Sequence, residues 1–158
     1  MPRKKTKSLQ RKLNPDRKYQ SVLVQRLINK SLLDGKKLLA ERQVYSALEI
    51  AAKKLKSEEP LEVFELALKN VSPSFEVKSR RVGGANYQIP FPVQGHRQQH
   101  YAFSWLVQSA RDRKGMPYNE RLAAEIVDAY NQTGAAFKKK EDTHKMAEAN
   151  RAFAHFAR

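Results

Sequence analysis

Apolar residues recur at intervals of three and four along most of this chain, the spacing that places them on one face of a helix. Val24, Leu27, Ile28 and Leu32 form the first stripe and predict a helix over about 21–33, stopped by Asp34 and Gly35. Gly35 suits the left-handed position that follows a helix. Ala40, Val44, Ala47, Leu48, Ala51 and Leu55 share a face of a second helix over about 37–56. A third carries Phe64, Ala67, Leu68 and Val71 on its buried side, and Ser72-Pro73 ends it. Ser57 is its expected N-cap, with Glu58 and Glu59 in the positive first turn and Pro60 where a missing N–H matters least.

From about residue 74 the period changes. Phe75, Val77 and Ser79 alternate with Glu76, Lys78 and Arg80; Gly83-Gly84 interrupts; then Tyr87, Ile89, Phe91 and Val93 resume at period two. This pattern predicts a β-hairpin over about 75–93, because adjacent glycines supply the positive backbone angles of a tight two-residue turn. Pro90 and Pro92 confine the second strand to an edge. Helical spacing returns with Phe103, Leu106, Val107 and Ala110, ending near Lys114-Gly115. It returns again after Pro117 with Ala123, Ile126, Val127 and Tyr130, and Gly134 is expected to close that fifth helix. A last amphipathic stretch spans about 135–156, with Met146, Phe153 and Phe156 expected to pack inward, as is Trp105 in the fourth helix. The expected fold is mainly α: a single-domain bundle of about six helices with a protruding β-hairpin.

Charge changes this picture more than composition does. The 158 residues hold 31 Lys plus Arg against 16 Asp plus Glu, a formal net +15, so a polyanion is the expected partner. Residues 1–18 hold Arg3, Lys4, Lys5, Lys7, Arg11, Lys12, Arg17 and Lys18 against Asp16 alone, and almost nothing apolar. They read as a flexible basic N-terminal arm ahead of one folded unit over 19–158. There is no cysteine, which excludes disulfides and thiolate chemistry and favours a reducing compartment. No apolar run approaches the roughly 20 residues of a membrane span, and no apolar segment of a secretion signal follows the basic start.

Four basic clusters are candidates for contact with a nucleic acid. In the hairpin, pairing through a Gly83-Gly84 turn sets Arg80 opposite Tyr87 and Lys78 opposite Ile89, a face offering cations to phosphate and a ring to a base, with Arg81 beside it. A ribbon with so few large apolar residues near its tip has little to bury itself with. Lys36 and Lys37 begin a helix, where positive charge opposes the macrodipole and an anion would relieve the conflict; solvated lysines at a chain turn are the plain alternative. Lys138, Lys139 and Lys140 repeat the arrangement after Gly134, partly offset by Glu141 and Asp142. Arg111, Arg113 and Lys114 sit at a helix C-terminus, where the dipole alone favours cations. His96 and His100 stand four apart, as helical metal pairs do, but the His-Glu-x-x-His motif is missing and no metal site is expected. No nucleophile elbow, phosphate loop or dinucleotide fingerprint is present, so neither enzyme nor cofactor is indicated.

Several blocks are more specific. Asp34-Gly35-Lys36-Lys37, Val44-Tyr45-Ser46-Ala47-Leu48-Glu49, Val77-Lys78-Ser79-Arg80-Arg81-Val82-Gly83-Gly84, Tyr87-Gln88-Ile89-Pro90 and Lys140-Glu141-Asp142-Thr143-His144-Lys145-Met146-Ala147-Glu148-Ala149-Asn150-Arg151-Ala152-Phe153-Ala154-His155 closely resemble, in order, the family of ribosomal protein seven of the bacterial and organellar small subunit. The resemblance implies a non-enzymatic constituent of the small ribosomal subunit. By it, the chain is expected to bind small-subunit ribosomal RNA in the 3′ major domain and to nucleate assembly of the subunit head. It further implies a place at the subunit interface near the exit-site transfer RNA and the messenger exit path, beside small-subunit proteins nine and eleven, on a cytoplasmic or an organellar ribosome. Carried over position by position, Arg80 and Arg81 face RNA, and Arg81, Gly83 and Gly84 form a tip toward the transfer RNA. Two departures stand out. Where the family often has several arginines after the second strand, this chain has Gln94, Gly95, His96, Arg97, Gln98 and Gln99, leaving Arg97 as the arginine of that segment. Gln43 replaces a usual apolar residue, so the second helix is expected to pack differently at that turn.

From bulk properties alone two rivals remain: a DNA-compacting architectural protein with a ribbon entering a minor groove, and an RNA-modifying enzyme. The first would be favoured by intercalating apolar residues at the ribbon tip, where Gly83-Gly84-Ala85 has none. The second would need a cofactor loop or a pocket of converging titratable groups.

Overall fold

A computed structural model describes residues 13–157, which form six α-helices, one antiparallel hairpin and a terminal 3-10 segment. Before the first helix, Asp16 is buried and accepts hydrogen bonds from the backbone N–H groups of Lys18 (3.0 Å), Tyr19 (2.8 Å) and Ser21 (2.8 Å) and from the Tyr45 hydroxyl (3.2 Å). The carboxylate thus ties the entering chain to the second helix, starting within the span that composition assigns to the arm. Helix α1 (Val22–Ser31) follows, with the Ser21 hydroxyl accepting from Leu23 N at 3.3 Å as a local N-cap.

Helix α2 (Lys37–Leu55) ends on Lys56, which turns left-handed at φ 53° and returns its N–H to the Ala52 and Lys53 carbonyls. Helix α3 (Pro60–Val71) starts later than Ser57 suggests: Glu59 is the N-cap and Pro60 the first helical residue. Ser57 serves the connector instead, its hydroxyl accepting from Glu59 N at 3.4 Å, and the acid of the first turn is Glu62. Strands β1 (Phe75–Val82) and β2 (Ala85–Pro92) pair in the expected register, Arg80 with Tyr87 and Lys78 with Ile89. Gly83 and Gly84 adopt φ +57° and +90°, the two positive angles of the hairpin turn.

Helix α4 (Gly95–Asp112) begins well before the apolar stripe from Phe103, because its first turns face solvent and carry no stripe to reveal them. Helix α5 (Tyr118–Tyr130) ends on Gln132 rather than Gly134: Gln132 is left-handed at φ 58°, and Thr133 N reaches back to Asp128 O at 2.8 Å. Gly134, at φ +86°, opens helix α6 (Gly134–Ala149), where a Cβ would lie 2.8 Å from Asp128 Cβ. The predicted last helix is broken at Asn150, after which residues Arg151–Ala157 wind as a 3-10 helix, η1. That tighter winding brings residues three apart to one side, and both Phe153 and Phe156 lie against Tyr87.

Helix α5 is the hub, packing against α2, α3, α4 and α6. Leu122, Ala123, Ile126 and Ala129 on it are fully buried against Leu27 and Ile28 of α1, Val44 and Leu48 of α2, Phe64 of α3 and Leu106 of α4 within one core. Both ends of α5 are capped from a distance. The Gln43 side chain accepts from Asn119 N at 3.1 Å, and Asn70 Nδ2 donates to the Ala129 and Tyr130 carbonyls at 3.1 and 3.0 Å. The Gln43 departure is therefore a cap on a neighbouring helix.

Candidate nucleic-acid interface

The hairpin presents unlike faces. At its tip Arg81, Gly83 and Gly84 are exposed, and the Arg81 side chain makes no ion pair or hydrogen bond among the described residues. The Arg80–Tyr87 pair is partly covered by η1. The Tyr87 ring lies 5.0 Å from that of Phe153 and 5.6 Å from that of Phe156, and Arg80 Nη1 donates to Phe156 O at 2.9 Å. The expectation that this face is bare is thus corrected: the missing apolar neighbours come from the C-terminal segment, which the hairpin's own sequence cannot reveal.

At the hairpin root, Glu76 is buried opposite Phe91 and gathers three donors: Lys78 Nζ at 2.8 Å, Arg97 Nε at 2.6 Å and the Tyr101 hydroxyl at 2.6 Å. Burial pushes this carboxyl up, but the hydrogen bonds from Lys78, Tyr101 and Arg97 and the Arg97 charge outweigh it and hold it at about 2. The Tyr101 phenol, hydrogen-bonded to this carboxylate and partly desolvated, is pushed up. Lys78 also sits 4.8 Å over the Phe91 ring and Arg97 5.5 Å over that of Tyr101. Arg97 and Tyr101 pin the hairpin to α4 through Glu76, while Lys78 braces the ribbon from within; the Lys78 and Arg97 side chains remain about half exposed.

The other clusters lie elsewhere on the body. Lys36 is the N-cap of α2 and makes no side-chain cap; Lys37 begins the helix and stands 3.9 Å from Glu41. Lys36 lines a cavity of about 500 Å³ together with Arg111, Arg121 and Tyr118, so the fold joins α4 and α5 cations to the α2 lysine, a meeting without any local signature. Arg111 donates to Ser31 O at 3.4 Å and Arg121 to the Arg111 and Arg113 carbonyls at 3.1 and 2.7 Å. Arg113 is locked to the fully buried Glu125 at 2.6 Å and to Asp128, which is the structural role that its place at a helix end suggests. The other Glu125 oxygen accepts from Ala136 N at 2.8 Å and so caps α6.

On α6 the three lysines part company. Lys138 is exposed, Lys139 stands 4.0 Å from Asp112, and Lys140 donates to Asn70 O at 2.7 Å beneath partial burial that lowers its ammonium pKa. Next to it His144 Nε2 accepts from Ser74 N at 3.0 Å, and burial followed by the Lys140 charge lowers its pKa. Trp105 packs on the core edge, 5.5 Å from Tyr101, while Met146 is half exposed rather than buried. Arg3, Lys4, Lys5, Lys7, Arg11 and Lys12 lie outside the described residues. No helix among the described residues is long and apolar enough to cross a membrane.

Comparison with known proteins gives the class. Residues 2–151 match the profile of the family described as ribosomal protein S7p/S5e. The chain is 60% identical over 148 residues to the small ribosomal subunit protein uS7 of Chloroflexus aggregans, covering 94% of each chain. It is 57% identical over 156 residues to that of Thermomicrobium roseum, covering 99% of each, and 58% identical over 146 residues to that of Natranaerobius thermophilus, covering 92% and 93%. With nearly the whole chain covered, and with the helical body and hairpin in place, the chain belongs to the ribosomal protein S7p/S5e family and is a structural, non-enzymatic constituent of the small subunit of a cytoplasmic, bacterial-type ribosome.

Proposed function

We propose that this chain binds small-subunit ribosomal RNA within the 3′ major domain and nucleates assembly of the subunit head, holding the RNA between hairpin, helical body and basic N-terminal residues. The observation that carries the reading is the contrast within the hairpin. Its root is fastened to α4 through Glu76, Arg97 and Tyr101, while its tip extends Arg81, Gly83 and Gly84 into solvent. A ribbon held rigidly at one end and left uncovered at the other suits insertion between RNA elements, with phosphates supplying affinity and RNA shape supplying choice. The partners of this reading are the exit-site transfer RNA and the messenger exit path near the tip, and small-subunit proteins nine and eleven beside the body. RNA contact is assigned to Arg3, Lys4, Lys5, Lys7, Arg11, Lys12, Lys36, Lys37, Lys78, Arg80, Arg81, Arg97, Lys138, Lys139 and Lys140. Lys78, Arg97 and Lys140 would serve RNA with only part of their donor capacity, since each already holds an internal acceptor.

The test is a binding titration of the full chain against a transcript of the 3′ major domain and against an unrelated duplex RNA of equal length. The expected result is a preference for the domain transcript that survives moderate salt. Equal affinity for both RNAs contradicts the reading, leaving a general polyanion binder.

A further inference from the structure

Between α1 and α4 lies a small cleft of about 210 Å³ that none of the basic clusters described above includes. Arg26 and Lys30 line it from α1; His96, Gln99 and His100 line it from α4, with Phe103 at its floor. No carboxylate lines it. On α3, Glu65 and Lys69 border the adjoining groove with Gln98 and Gln99, not this one. Arg26 is held from two sides: it donates to Gln99 Oε1, and its Nη2 lies 3.4 Å from His96 Nδ1. His96, His100 and Lys30 are exposed, and Lys30 makes no ion pair among the described residues.

We propose that Arg26, Lys30, His96 and His100 form a phosphodiester-binding cleft in which phosphate and proton are taken up together, a second RNA grip whose strength follows pH. The proposal rests on the RNA-binding reading and adds a site and a regulation to it. Its mechanism is local. In the free protein the lone pair of His96 Nδ1 faces the Arg26 guanidinium, so a proton there would set two cations against each other with no acid in the cleft to offset them. A phosphate between them reverses the balance, because its oxygens accept from the guanidinium and the imidazolium together. The Arg26–Gln99 hydrogen bond keeps the guanidinium aimed at the opening meanwhile. Histidine is the side chain whose charge ordinarily changes between about pH 5 and 8. The His96/His100 spacing is that of helical metal pairs, but the arginine and lysine facing these rings suit an anion instead.

The experiment measures affinity of the full chain for the 3′ major domain transcript at constant ionic strength from pH 6 to pH 8. It compares the native chain with His96→Gln/His100→Gln and His96→Arg/His100→Arg double variants, each first checked by a melting curve. The native chain is expected to bind about tenfold tighter at pH 6 than at pH 8, as uptake of about half a proton on average across that two-unit window requires. The glutamine variant is expected to lose that dependence and bind at pH 6 no better than the native chain at pH 8. The arginine variant is expected to bind at pH 8 as the native chain does at pH 6, with a flat profile. Identical pH profiles in the native and glutamine chains overturn the cleft while leaving RNA binding intact. Failure of the native chain to distinguish the transcript from unrelated duplex at every pH overturns the RNA reading, and the cleft with it.

Discussion

Glu76 lies buried at the root of the hairpin with three donors around it, so replacing it by glutamine separates its charge from its shape. Glu76→Gln is expected to destabilise the fold by about 1–3 kcal/mol at pH 7, the range for a hydrogen-bonded buried group that loses its charge. The folded carboxyl titrates near 2, below its ordinary 4.5, so its contribution is complete above about pH 4.5 and fades as pH falls toward 2. Denaturant curves at pH 7 and pH 3 read this directly; an equal gap between native and variant at both pH values contradicts it. The tip arginines separate in another way. Arg81→Ala is expected to leave stability within about 0.5 kcal/mol of native and to reduce RNA affinity. Arg80→Ala also releases the Phe156 carbonyl, so it should loosen η1, seen as faster amide exchange over 151–157. Little of this was legible in the sequence. The hairpin register follows from period and turn chemistry, whereas Asp16, Glu76 and Glu125 each also draw a partner from another element (Tyr45, Arg97 and Ala136), and a lone carboxylate carries no periodic mark of its burial.

At the scale of elements, helix existence and hairpin register are local properties, and they were readable because each apolar stripe repeats within its own segment. Helix ends were less so. The N-termini of α5 and α6 lack a side-chain cap of their own and take acceptors from Gln43 of α2 and Glu125 of α5. The cap positions do not announce such an arrangement: Pro117 has no acceptor side chain, and the Thr133 hydroxyl donates to Asp128 O at 3.0 Å instead of capping α6. Gly134 was legible as a punctuation mark but not as the residue that lets α6 approach α5. Gly134→Ala is expected to destabilise by at least about 1 kcal/mol, since a φ of +86° and the 2.8 Å approach to Asp128 Cβ both resist a side chain. Calorimetry of the variant decides it; an unchanged transition means that α6 shifts freely. The covering of Tyr87 by η1 has no local signature because it joins segments far apart in sequence, although the amphipathic pattern marks Phe153 and Phe156 as packing residues.

For the whole molecule, stability and binding reside in different layers. Phe64→Ala removes a fully buried ring from the common core and is expected to cost about 3–5 kcal/mol, depleting folded protein before it meets RNA. Its denaturation midpoint should fall while any folded fraction binds with native affinity. Charge gives the complementary expectation: with roughly eight phosphates neutralised, the log–log slope of affinity against salt should be about −5 to −7, and removing residues 1–12 should flatten it without moving the melting transition. A slope near zero contradicts binding through the net +15. The central position of α5 carries a consequence for how the chain is made. Synthesis proceeds from the N-terminus, and domains close only when their parts have emerged. Helices α2, α3 and α4 each rest on α5, which lies late in the chain. The basic N-terminal residues and the hairpin must therefore leave the exit tunnel while the core is still open. A nascent chain truncated at residue 117 should be cut readily by protease, whereas one released at residue 150 should resist, so the RNA-seeking parts of the protein are displayed before the body that will hold them has closed.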